Sequence, residues 1–85
     1  MPDPVSYLLV ERGWDVVASD GSHLGSVDDV IADEEKDIFN GLVVTAGLFR
    51  GTKYVPSERV STIVEGRVAL DVDVDGFRLL GEHTT

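Results

Sequence analysis

Residues 13–30 read GWDVVASDGSHLGSVDDV and decide the fold of this 85-residue chain. A valine-rich run over residues 14–18 leads into Asp20-Gly21, a dipeptide favoured in tight hairpins because their turn positions need positive φ. A longer extended run, residues 24–32, follows. Two β-branched runs on either side of an Asp-Gly turn predict a β-hairpin.

The rest of the chain continues in the same way, with 14 valines and 9 glycines in short runs separated by turn signals. An acidic turn at residues 33–37 and Glu65-Gly66 mark two further reversals, and Pro56 ends a strand because it lacks a ladder donor. The pattern predicts additional strands over residues 38–45, 53–55, 60–64 and 67–72. Residues 7–10 have the composition of a first extended piece, and residues 73–80 fit either a short helix or an irregular wrap.

Strands this short and numerous predict an all-β fold whose sheet curls into a small, partly open barrel, because a flat sheet would leave its apolar face wet. Alternation along residues 26–31 places Val27, Asp29 and Ile31 on one face and their neighbours on the other. We expect the core to consist of Trp14, Val16, Leu24, Val27, Ile31, Leu42, Val44, Val55, Val60, Ile63, Val68 and Leu70.

Composition excludes several classes of function. Sixteen acids against 7 bases give a formal charge of −9, which disfavours nucleic acid and anionic membranes as partners. The absence of cysteine excludes thiolate metal sites and cysteine nucleophiles. The longest apolar run near the N-terminus, residues 7–10, is too short to insert into a membrane, so we expect a cytoplasmic protein. One small domain leaves little room for a catalytic cleft, and no hydrolase or phosphate-binding motif is present.

The order and spacing of these pieces resemble the PRC-barrel domain family. Residues 13–21 and 24–30 match its extended strand, D-G turn and G-x-V-x-D/E-V opening. Residues 42–47, LVVTAG, resemble its central strand, and Tyr54-Val55-Pro56 with the later Val60, Ile63 and Val68-Ala69-Leu70 resembles its ending. We therefore divide the chain into an N-terminal segment (1–12), a PRC-barrel-like domain (13–80) and a tail (81–85).

The resemblance implies a six-stranded, partly open β-barrel that acts as an interaction module and not as an enzyme. The family includes the cytoplasmic part of the photosynthetic reaction-centre H subunit and the C-terminal domain of a ribosome maturation factor. The sequence has neither the transmembrane helix of the first nor the N-terminal barrel of the second. The resemblance supplies no catalytic residue and no cofactor. A ribosome-assembly accessory role remains an alternative.

Residues 71–82 fit the calcium-loop pattern D-x-[DN]-x-[DN]-G-x₅-E, in which acids wrap one Ca²⁺ around a glycine turn. A strand precedes the pattern where a helix is required, and Arg78 stands where an apolar residue is usual. We therefore expect no metal site, with a calcium-binding module as the alternative. Its ligands would be Asp71, Asp73, Asp75 and Glu82.

Self-association is the function that the pattern favours, because a partly open barrel leaves edge strands that natural proteins cover, often with a second copy. Leu48-Phe49, between Gly47 and Gly51, forms either a plug over the barrel or an exposed anchor. Valines on the face opposite the core and an acidic turn add further contacts for a homodimer or another protein. The candidate interaction residues are Leu48, Phe49, Val43, Val64, Asp33, Glu34 and Glu35.

Overall fold

The computed structural model describes residues 7–33, 35–36, 38–46 and 52–80. Six β-strands account for most of this part of the chain, with one short α-helix and two 3₁₀ turns. The strands are β1 (Asp15–Val17), β2 (His23–Asp33), β3 (Ile38–Thr45), β4 (Thr52–Pro56), β5 (Val60–Val64) and β6 (Arg67–Leu70). The helix is α1 (Val74–Arg78), and the 3₁₀ turns cover Tyr7–Leu9 and Ser57–Arg59.

The strands form one sheet in the order β4-β3-β2-β1-β6-β5. Neighbouring strands are antiparallel except β1 and β6, which run parallel. The sheet curls around a single core without pairing its two outer strands, β4 and β5, so the barrel is not closed. The predicted all-β, six-stranded, partly open barrel is confirmed, and the C-terminal segment contains a short helix.

The first hairpin has a longer loop than a simple Asp-Gly turn. Ala18 N–H donates to the Ser22 carbonyl at 2.8 Å, and Gly21 N–H donates to the Ala18 carbonyl at 2.9 Å. Gly21 has a φ of 89°, as expected for the last position of a three-residue loop with a bulge. Hydrogen bonds from the backbone N–H and side chain of Ser22 hold the pKa of Asp20 below its usual value.

Most of the predicted core is confirmed, but three of its members, Trp14, Ile31 and Val60, are only half-buried. The sequence pattern missed the two alanines at strand ends, Val43, and an aromatic side chain from the helix. The buried apolar residues are Val16, Ala18, Leu24, Val27, Leu42, Val43, Val44, Ala46, Val55, Ile63, Val68, Leu70 and Phe77.

A β-bulge explains why Ile31 is not a core residue. The β2–β3 register pairs Val27 with Val44 and then Asp29 with Val43, so Asp28 is an extra residue in β2. One extra residue exchanges the two faces of the strand beyond it. Val30 therefore packs against the core, although strict alternation places it on the opposite face.

Segment 7–10, predicted to be extended, begins instead with a 3₁₀ turn over Tyr7–Leu9. The Tyr7 ring stacks on Phe39 of β3, with centroids 4.9 Å apart and ring planes 7° from parallel. This contact fixes the turn beside the start of β3.

Helix α1 covers one side of the barrel. Its first turn is capped by Asp73, whose side chain accepts a hydrogen bond from Gly76 N–H at 2.6 Å. Phe77 projects into the core and has no exposed surface, whereas its helix neighbour Leu79 is 86% exposed. The segment is also joined to the first hairpin, because Ser19 N–H donates to the Val72 carbonyl at 2.8 Å.

Candidate interaction surface

The outer strands β4 and β5 follow each other in the chain but occupy opposite ends of the strand order. Only the 3₁₀ turn Ser57–Arg59 separates them. An outer strand presents one row of main-chain N–H and C=O groups that the sheet itself does not use, which makes it a template for another strand. The chemistry of each edge therefore decides whether a partner can pair with it.

The β4 edge is tied to the C-terminal segment of the same chain. Lys53 Nζ donates to the carbonyl oxygens of Arg78 at 3.1 Å and Leu80 at 3.0 Å. These carbonyls lie at the end of α1, where a positive charge is favourable and the last acceptors need donors. Pro56, the last residue of β4, has no N–H to offer a partner. Lysine and proline on an edge both disfavour pairing with another strand.

The β5 edge has neither a lysine nor a proline. Its five residues, Val60-Ser61-Thr62-Ile63-Val64, include no charge and no proline, although the whole chain carries −9. Arg59 precedes the strand and Glu65 follows it. Thr62 and Ser61 are exposed, while Ile63 is turned into the core. β5 is therefore an outer strand whose residues favour pairing with another strand.

The turn after β5 determines which main-chain groups face outward. Val64 and Arg67 pair across Glu65-Gly66, and Gly66 has a φ of 84° that suits such a two-residue turn. Residues flanking a two-residue turn form a hydrogen-bonded pair, and these pairs alternate along an antiparallel ladder. The main chain of Val64 and Thr62 therefore faces β6, and that of Ile63 faces the open edge.

A groove of about 380 Å³ runs beside β5. One wall is formed by four consecutive β5 residues, 60–63. The other lining residues are Tyr7, Phe39 and Ser57, none of which belongs to β6, the sheet neighbour of β5. We call this feature the β5 groove. Its stacked aromatic rings and its strand wall offer apolar surface beside main-chain groups, a combination suited to an extended chain.

The predicted interaction residues are dispersed. Val43 is only 2% exposed, and its register neighbours are Asp29 of β2 and Tyr54 of β4. It is therefore not available to a partner, contrary to the expectation from alternation. Val64 is half-buried at the end of β5.

The acidic turn and the apolar loop are described only in part. Asp33 is half-buried and its carboxylate accepts from Lys36 N–H at 3.3 Å, while Glu35 is exposed. Glu34, Leu48 and Phe49 lie outside the described residues, so the choice between plug and anchor for the apolar pair stays a prediction.

Two of the four acids of the calcium-like pattern have other partners. Asp73 caps α1 through Gly76 N–H, and Asp71 faces Arg59 with 3.7 Å between Oδ2 and Nη1. Among the residues that the structure describes, no three acidic or histidine side chains come close enough to hold a metal ion. Glu82, the last residue of the pattern, lies outside that part. The spacing D-x-x-G at residues 73–76 is explained by a helix cap.

Sequence reasoning missed the β5 groove and the role of Lys53. A signal for the second was present, because Lys53 and Pro56 bracket a very short strand, which is typical of a protected edge. The groove had no such signal. Its two rings come from residues 7 and 39, and only the tertiary fold brings them together.

A family model described as the PRC-barrel domain matches residues 12–79, most of the chain. The match spans all six strands and the helix, and it includes the β5 groove except for Tyr7. No curated protein matches the chain. Within the described ranges, no helix combines the length and the apolar character needed to cross a bilayer.

Proposed function

Because the chain belongs to the PRC-barrel family, whose domains mediate protein interactions and are generally non-catalytic, we propose that it is a non-catalytic binding module that self-associates through β5. The observation that carries this proposal is the contrast between the two outer strands. β4 is tied to the chain's own helix through Lys53, whereas β5 presents an uncharged strand beside an apolar groove.

The sequence around β5 is complementary to itself in an antiparallel arrangement. When two copies pair about a two-fold axis through Thr62, Ser61 of one copy lies opposite Ile63 of the other. The main chain of Ile63 faces the open edge, and Ser61 is the extra residue of the bulge that interrupts the β5–β6 ladder. This register therefore places the bulge of each copy opposite an outward-facing residue of the other.

The same register aligns opposite charges at both ends of the paired strands. Arg59 of one copy lies opposite Glu65 of the other, and the two-fold axis repeats the pair. Arg59 keeps half of its side chain exposed while it contacts Asp71, so its guanidinium remains accessible at the surface. Opposite charges across paired strands favour this register over a slipped one.

The expected dimer is moderate in strength. Two five-residue strands and their flanking residues bury less than the roughly 800 Å² per partner of a standard interface. The net charge of −9 on each copy opposes association, and salt screens this repulsion beyond about 10 Å at 0.1 M. We therefore expect a dimer that dissociates on dilution and tightens as the salt concentration rises.

Light scattering over a micromolar concentration series at two salt concentrations tests self-association. The expected result is a mass that rises from 9.2 kDa toward twice that value, and rises earlier at the higher salt concentration. A mass that stays at 9.2 kDa at hundred-micromolar protein and moderate salt contradicts the proposal.

A charge exchange tests the register. Glu65→Arg places like charges opposite each other and should weaken the dimer about threefold to tenfold, the range for two exposed ion pairs. The double variant Arg59→Glu/Glu65→Arg restores opposite charges and should recover most of the loss. Glu35→Arg is the control, because it changes the net charge equally at the distant β2–β3 turn. A double variant weaker than Glu65→Arg alone contradicts the register but not self-association.

A further inference from the structure

A second concave surface lies outside the β5 groove, where the N-terminal 3₁₀ turn meets the turn between β5 and β6. Its volume is about 450 Å³, and its lining residues are Leu8, Leu9, Glu11, Trp14 and Glu65. We call it the Trp14 pocket. Only Glu65 also borders the proposed strand pairing, so the two surfaces can be altered separately.

The floor of the Trp14 pocket is unusually apolar for an exposed surface of such an acidic chain. Leu8 and Leu9 are 59% and 58% exposed, and two of the four large hydrophobic residues that the described part of the chain exposes are this adjacent pair. Trp14 is half-buried against the core and supplies an aromatic surface beside them. Aromatic and aliphatic side chains gathered in a concavity are typical of protein-binding surfaces.

Two of the residues that line the pocket are acidic. Glu11 and Glu65 are both exposed and both line the pocket. The neighbouring base, Arg12, is not among the lining residues, and its Nη2 lies 3.6 Å from Oδ1 of Asp28. A ligand that enters the pocket therefore meets both apolar groups and carboxylates.

We infer that the Trp14 pocket binds a cationic amphipathic segment of a partner protein, with apolar side chains on the two leucines and Trp14 and with Lys or Arg at Glu11 and Glu65. The charge of these two acids and of the whole chain favours a basic partner. A Lys or Arg side chain over the Trp14 ring gains further attraction. An anionic lipid surface meets the same carboxylates and is repelled. This site shares Glu65 with the proposed strand pairing but requires no second copy of the chain.

The chain contains a single tryptophan, so its fluorescence reports directly on the pocket. The probe is a synthetic peptide of leucine and lysine with leucines at the i, i+3, i+4 and i+7 spacing of an amphipathic helix. We expect it to shift the Trp14 emission to shorter wavelength in a saturable manner. A scrambled peptide of the same composition and an amphipathic leucine–glutamate peptide should bind at least about tenfold more weakly.

Matched substitutions separate a defined site from general attraction to an acidic protein. Glu11→Lys should weaken binding of the leucine–lysine peptide about fivefold or more, while Glu35→Lys changes the net charge equally and should have less than a twofold effect. Leu9→Ser should weaken binding about fivefold or more, and Leu79→Ser, at another exposed leucine, should not. Equal effects within either pair overturn the inference.

Two further measurements test the choice of occupant. Vesicles of zwitterionic or anionic phospholipid should leave the Trp14 emission unchanged, and a shift to shorter wavelength on vesicles would overturn a protein partner. The Trp14 emission of the protein alone should not depend on protein concentration, since a change that follows dimerisation would place the second copy in the pocket. Peptide binding that persists in a dimer-deficient Thr62→Lys variant would confirm that the pocket acts independently of β5.

Discussion

The two outer strands of the barrel are consecutive in sequence and similar in length, yet they meet their surroundings in opposite ways. β4 contains a lysine that reaches the last carbonyls of the helix and ends in a proline. β5 contains only uncharged residues and lies beside a groove. The difference shows that a few side chains decide whether an outer strand can pair with a partner. An open barrel does not by itself leave both of its edges available.

The comparison separates two kinds of energy. Contacts on the β4 side join parts of one chain, so they stabilise the monomer. Contacts proposed on the β5 side form only with a second copy, so they add stability only through association. Substitutions on the β4 side should therefore change the free energy of unfolding, and substitutions on the β5 side should change the dimer dissociation constant.

The largest effect on stability should follow Phe77→Ala, in the helix to which Lys53 of β4 is bonded. Phe77 is fully buried against the core, and removal of a buried phenylalanine costs about 3–5 kcal/mol of the free energy of unfolding. A urea melt measures the loss. The control is Leu79→Ala at the C-cap of the same helix, which should stay within about 0.5 kcal/mol because Leu79 is exposed. A loss below about 1 kcal/mol for Phe77→Ala would mean that α1 does not complete the core.

A smaller effect, on association alone, should follow Thr62→Lys in β5. Thr62 is exposed at the proposed two-fold axis, so the variant brings two like charges together and should raise the dimer dissociation constant about tenfold or more. Its unfolding free energy at concentrations where the chain is monomeric should change by less than about 0.5 kcal/mol.

Thr45→Lys is the matched control, because Thr45 is also exposed but lies on β3, which has strands on both sides. Light scattering compares the two variants with the parent protein. A dimer that survives Thr62→Lys unchanged would place the interface elsewhere and remove the functional contrast between the edges.

The smallest effect should follow Lys53→Met, which keeps the apolar stem and removes the charged donor. The variant loses the bonds to the carbonyls of Arg78 and Leu80, and we expect a cost of about 1 kcal/mol in a urea melt. Lys36→Met, in an exposed turn, is the control and should be nearly neutral. If Lys53→Met also strengthens association, its lysine protects the β4 edge in addition to capping the helix.

Much of the fold could be predicted because the decisive signals are local. β3 and β5 have the bounds that turn residues and β-branched runs predicted, and the reversals at Gly21 and Gly66 both have positive φ. The exchange of Val30 for Ile31 in the core could not be predicted, since the bulge at Asp28 is defined only by the register against β3.

The candidate surfaces were less accessible to sequence reasoning. An open edge followed from the small barrel, and Lys53 and Pro56 marked β4 as a protected strand, but nothing local indicated that Lys53 would bond the carbonyls of Arg78 and Leu80. Val43 was misplaced because alternation predicts a face and not what covers it. The Trp14 pocket depends on Leu8 and Leu9, whose 3₁₀ turn differs from the extended piece that their composition suggested.

The three-residue strand β1 has a consequence for the order of folding. Among the described strands, β1 alone pairs with both the β2–β3–β4 meander and the β5–β6 hairpin. Its parallel partner, residues 67–69, is distant in the chain. Hairpins close over short loops, whereas this parallel pairing must bring remote segments together at a larger entropic cost. The two antiparallel units should therefore form early, and their union along β1 should set the folding rate.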